Sequence, residues 1–77
     1  MQIQEGMYYI NREHEILKAT FNNGSTNIRY PFHMVYESAK HIEYTVTATG
    51  KWGHSDAESL LDIVKELSPK EYPEYYL

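Results

Sequence analysis

The sequence predicts an α+β domain: a small antiparallel sheet of about four strands followed by one C-terminal amphipathic helix packed on one face, ββββα. Three observations carry that expectation. Two central segments alternate apolar and polar residues with the period of half-buried strands. A capping box introduces helically spaced apolar residues towards the C-terminus, and clusters of turn-forming residues separate the segments.

Residues 2–10, ending in Met7-Tyr8-Tyr9-Ile10, read as a first strand. Leu17, Ala19 and Phe21 then alternate with Lys18 and Thr20, which predicts a strand over 14–22 turned by Asn22-Asn23-Gly24-Ser25. A short helix competes for residues 12–21, which are rich in good helix formers and have Asn11 as a cap. In the third segment Ile28, Tyr30, Phe32 and Met34 share one face and Asn27, Arg29 and His33 the other. Pro31 cannot donate to a ladder, so this strand is expected at a sheet edge or with a bulge, which conflicts with the central place it would take in a simple meander. Residues 37–40 turn the chain into a fourth strand, where Ile42, Tyr44, Val46 and Ala48 oppose Glu43, Thr45, Thr47 and Thr49 before Gly50.

The helix is expected over about residues 55–68. Ser55-Asp56-Ala57-Glu58 matches the capping box, in which the Ser55 hydroxyl accepts from the Glu58 amide and the Glu58 carboxylate from the Ser55 amide. Ala57, Leu60, Leu61, Val64 and Leu67 recur at helical spacing with Ile63 beside them, and Pro69 ends the run. Residues 69–77 form an acidic, tyrosine-rich tail, and Trp52 is expected to close one end of the core. The absence of repeats and linkers makes residues 1–77 one domain, with the sheet over about 2–50.

Composition narrows the function classes. A chain of 77 residues buries only about 60% of the surface it exposes when unfolded, and without Cys it has neither a disulfide framework nor a thiolate metal site. Packing, helix capping or a second copy of the chain must stabilise it. No basic stretch leads into an apolar run at the N-terminus, and no segment approaches the roughly 20 apolar residues of a membrane span, so the expected location is the cytoplasm. Met1 is consistent with a complete small reading frame. Charge is uneven: residues 1–54 carry five basic and five acidic residues, so the net charge of −4 resides in residues 55–77, where Lys65 and Lys70 face six acids. An acidic end disfavours phosphate backbones and favours a basic partner.

No motif specifies a reaction, and no catalytic, cofactor or metal residue is assigned. His54-Ser55-Asp56 holds the residue types of a hydrolase triad, but neighbours at a helix start diverge and capping accounts for Ser55. His14, His33, His41 and His54 lack metal-ligand spacing, although His33 and His41 could face each other across a hairpin. Asn23-Gly24-Ser25 fits a glycosylation acceptor but reads as a turn, and the scattered glycines make no phosphate loop. Tyrosine is the unusual residue, with eight copies. Tyr72, Glu74, Tyr75, Tyr76 and Leu77, with Glu66 and Asp62 on the helix, are the candidate partner-binding set, because aromatic anchors rimmed by charge compose interface hot spots. The bland alternative is a tail folded back over an undersized core.

The expected function is therefore a small protein–protein interaction module, not an enzyme, with a basic protein partner and self-association into a homodimer as one form. Its size and charge match those of phage-encoded inhibitors that occupy basic grooves of nucleic-acid enzymes, anti-CRISPR proteins among them. That analogy has no motif behind it. A nucleic-acid-binding domain using Lys18, Thr20, Arg29, His33, Thr45, Thr47 and Thr49 on the polar sheet face is the disfavoured alternative, and a small self-associating structural protein is another.

Overall fold

In the computed structural model, which describes residues 1–21, 29–53 and 57–77, the chain builds a five-stranded antiparallel sheet. The strands are β1 (Tyr8–Asn11), β2 (Ile16–Phe21), β3 (Phe32–Tyr36), β4 (Glu43–Val46) and β5 (Ile63–Leu67). Their order is β4-β3-β2-β1-β5, so four strands meander and the fifth returns beside the first. The only helical turn among the described residues is a 3-10 turn at Pro73–Tyr75.

The expected C-terminal helix is therefore corrected to a strand. Residues 63–67 pair with β1, with Tyr8 opposite Leu67, Tyr9 opposite Glu66 and Ile10 opposite Lys65. A short apolar run satisfies both helical and extended patterns, and here the open edge of β1 decides between them. A helical stripe would bury Leu60 and Val64, yet these stand 64% and 43% exposed, while Ile63 and Leu67 are buried. Ser55 and Asp56 of the capping box lie outside the described residues, and Glu58 is exposed.

The register shifts between Ile10 and Asn11, where Asn11 faces Ile63. In a regular strand Ile63 and Lys65 would share a face. The bulge separates them, sending Ile63 into the core with Asn11 and leaving Lys65 on the opposite face with Ile10.

The other strands follow their sequence alternation more closely. Residues 16–21 are strand, and the competing helix over 12–21 does not form. Pro31 immediately precedes β3 rather than lying in it, so a strand paired on both sides suffers no missing donor. Phe32, Met34 and Val46 are buried as the alternation predicts, whereas Ile42 lies before β4 and is exposed. Trp52, expected to close the core, is 45% exposed.

One face of the sheet carries the core: Tyr9, Leu17, Ala19, Phe32, Met34 and Val46, joined by Ile3 and Ile63, with Met7, Tyr36 and Tyr44 packed at its margin. Ile3 is tied down by its amide, which donates to the Ala48 carbonyl at 2.8 Å. Gly50 completes the seal between the end of β4 and the start of β5. Its amide donates to the Thr47 carbonyl at 3.0 Å, and its carbonyl accepts from the Ile63 amide at 2.9 Å. It adopts φ +92°, and a Cβ there would sit 2.9 Å from Ile63 Cβ and 3.4 Å from Ile3 Cδ1.

Gly50→Ala combines left-handed strain with a clash in the core and is expected to cost about 2–4 kcal/mol in urea denaturation. Gly6→Ala, at φ +87° but with open space around it, is the matched control. It should cost only about 1 kcal/mol.

Candidate functional site

Strand pairing assembles a second, outer face opposite the core. Across it runs the row Glu43, Val35, Lys18, Tyr8 and Leu67, each directly opposite the next on neighbouring strands. One row beyond lie Thr45, His33 and Thr20; on the other side lie Ile16, Ile10 and Lys65. Glu37 stands beside Ile16, with its amide donating to the Ile16 carbonyl at 2.9 Å. Single charges thus surround the half-buried apolar residues Ile16 and Val35.

The C-terminal tail covers the β1 and β5 end of this face. The Tyr76 hydroxyl accepts from the Tyr8 amide at 2.7 Å and donates to the Leu67 carbonyl at 2.7 Å, bridging the two backbones where their ladder ends. The Tyr8 ring meets Tyr76 edge-on at 5.2 Å and Tyr75 at 5.3 Å. Leu67, 1% exposed but outside the main core cluster, is sealed on this side. Tyr72 accepts a hydrogen bond from Lys65 Nζ at 3.3 Å, and the same ammonium lies 5.4 Å from its ring centre. A turn in which Ser68 Oγ accepts from the Glu71 amide and the Tyr72 amide donates to the Ser68 carbonyl directs the chain back.

Where the tail stops, a groove opens. One depression of about 220 Å³ is lined by His14, Glu15, Ile16, Glu37, Ser38 and Tyr75. The adjoining one, about 180 Å³, is lined by Tyr8, Lys18, Thr20, Val35, Tyr36, Glu37 and Lys40. Glu37 stands at their seam, 3.8 Å from Lys40 Nζ. Burial, and then the Glu37 carboxylate, raise the Tyr8 hydroxyl pKa above its ordinary value, so the ring presents a neutral donor. His33 Nδ1 lies 3.2 Å from the Glu43 carboxylate at the far side of the face.

Two buried polar clusters hold the loops that frame the sheet. Asn11, fully buried, accepts from the Glu13 and Glu15 amides with Oδ1 at 3.0 Å each and donates through Nδ2 to the Tyr44 hydroxyl at 3.2 Å. That hydroxyl in turn donates to the Leu61 carbonyl at 2.8 Å, and burial first of all raises its pKa far above the usual phenol value. This pins His14, in the left-handed region at φ +63°, at the margin of the groove.

Asp62 organises the second cluster. Its carboxylate accepts from the Trp52 and Ser59 amides at 3.0 Å each and from Lys51 Nζ at 3.1 Å, with Arg12 Nε at 3.9 Å. Burial opposes its ionisation, but the two amides and Lys51 outweigh that and lower its pKa below the ordinary carboxyl value.

The sequence-selected set therefore divides. Tyr75 borders the groove, Tyr72 and Tyr76 fasten the tail, and Glu74 and Leu77 are exposed beyond it. Asp62 is a buried clasp instead of a surface contact, and Glu66 lies on the edge strand opposite Tyr9. His33 faces Thr45, so His41 is not across from it. Of the polar set, Lys18, Thr20, His33 and Thr45 share the outer face, whereas Thr47 and Thr49 meet in a turn with their hydroxyls 3.2 Å apart. His54, Ser55 and the glycosylation-like triplet lie outside the described residues. Tyr8, Glu15, Val35, Glu37 and Lys40 escaped sequence reasoning, because only cross-strand register brings them together. Among the described residues no group of three or more His, Asp or Glu could hold a metal.

No family model, curated protein or solved structure matches the chain.

Tyr76→Phe leaves the packing in place but strips a part-buried amide and carbonyl of their shared partner, and should lower stability by about 1–2 kcal/mol in urea denaturation. Asp62 supplies a pH signature. Because its folded pKa is lowered, its contribution is complete above the ordinary carboxyl value and is lost as pH falls through the folded value. Asp62→Asn should remove about 2–4 kcal/mol at neutral pH and flatten the acid limb of a melting temperature against pH profile.

Proposed function

We propose that this chain is a small protein-binding module whose docking surface is the outer face of the sheet beside the C-terminal tail. The observation that carries the reading is the groove itself: aromatic rings on one wall, half-buried Ile16 and Val35 in the floor and charges of both signs around them. That composition suits a partner that buries a few anchors and pairs charges at the rim.

A basic partner remains the favoured kind. Glu43 lies on this face, Glu15 and Glu37 line the groove, and Glu71 and Glu74 are exposed on the tail beyond it. An inhibitor that occupies a basic surface of a nucleic-acid enzyme is one form of this reading. A cytoplasmic setting accompanies it, and among the described residues no helix is long and apolar enough to cross a membrane. Self-association is a second form, since β4 and β5 are the edges of the sheet.

The test is affinity capture from the native host with the unmodified chain, Val35→Arg in the groove floor, and Glu58→Arg at an exposed position that does not line the groove. A specific protein retained by the unmodified chain and by Glu58→Arg, but lost with Val35→Arg at unchanged melting temperature, is the expected result. Retention that nuclease abolishes would replace the proposal with nucleic-acid binding. A stable dimer by light scattering, with nothing else captured, would favour the self-associating form.

A further inference from the structure

The two lobes of the groove differ in charge, and the difference constrains what can lie in it. One lobe is lined by Glu15 and Glu37 with Tyr75; the other by Lys18, Lys40 and Tyr8, with Glu37 shared between them. Ile16 belongs to the first lobe and Val35 to the second, so the floor stays apolar across the seam. Lys18 Nζ is 5.8 Å from the Tyr8 ring centre, which holds a cation on the aromatic wall. Glu37 and Lys40 pair across the seam at 3.8 Å, so an occupant carrying both signs can engage each of them from its open side, whereas one carrying a single sign meets a like charge in one lobe, which opposes binding.

Resting on the protein-binding reading above, we propose that the groove takes an extended segment of the partner protein in which an apolar side chain is flanked by a basic residue on one side and an acidic residue on the other. The basic side chain enters the Glu15 and Glu37 lobe, where a guanidinium can meet both carboxylates and lie against Tyr75. The apolar side chain rests on Ile16 and Val35, and the acidic one reaches Lys18 and Lys40. The basic character of the partner as a whole then serves approach, while this mixed segment sets register.

Three capped pentapeptides test the proposal by amide chemical-shift titration of the full chain: Arg-Ala-Leu-Ala-Glu, Arg-Ala-Leu-Ala-Arg and Glu-Ala-Leu-Ala-Glu. The mixed peptide should bind at least about fivefold more tightly than either single-sign peptide, with shifts centred on Ile16, Lys18, Val35 and Glu37. In the variant carrying Lys18→Glu and Lys40→Glu the preference should move to the doubly basic peptide. Equal binding of all three, shifts centred elsewhere, an unmoved preference in the double variant, or no shifts at millimolar peptide would each overturn the charge assignment. The capture experiment with Val35→Arg judges the protein-binding reading separately, since loss of a captured protein there does not depend on which peptide fits.

Discussion

The return of β5 to the open edge of β1 is the constraint on which the rest of this structure depends. It converts a four-stranded meander into a five-stranded sheet and brings Ile63 against Gly50 and Ile3, closing the core. It also presents Leu67 beside Tyr8 on the opposite face, where the tail can dock. Two local devices make the return specific. The Asp62 carboxylate gathers the Trp52 and Ser59 amides and Lys51 just before β5 begins, which fixes where the strand enters. The bulge at Asn11 then distributes Ile63 and Leu67 to different faces, so that one short strand contributes to both layers.

The outer face follows from the same geometry. In so short a chain a single sheet packs its core on one face, and here the tail docks on part of the other. The tail is fastened by a hydroxyl that serves as both donor and acceptor between two strands, and this sets its resting place over β1 and β5. The groove begins where the tail ends, with Tyr75 forming the boundary. The walls of the groove therefore differ in chemistry, aromatic on the tail side and charged on the side of residues 37–40.

Much of the meander was legible in the sequence. The alternation of Leu17 and Ala19, of Phe32 and Met34, and of Tyr44 and Val46 placed the right side chains in the core, because a period of two survives whatever the neighbouring strand is. Pro31 is no obstacle, because β3 begins at Phe32, one residue after it. At the C-terminal element the spacing of Leu60, Leu61, Val64 and Leu67 is helical, and the feature that overrides it is a missing neighbour for β1 more than 50 residues away in the chain. Asp62 looked like one more acid on a solvated helix flank, and nothing local distinguishes it from a carboxylate that caps three donors. The groove could not be read at all, because its residues come from three strands, two hairpin turns and the tail, and become neighbours only through register.

The most direct test is the backbone conformation of residues 63–67 in solution. Carbon secondary chemical shifts of extended sign over this span, with cross-strand proton contacts between Tyr8 and Leu67 and between Ile10 and Lys65, are what the structure predicts. Helical shifts through the same residues, with no contact to β1, would contradict it and remove both the sealed core and the outer groove.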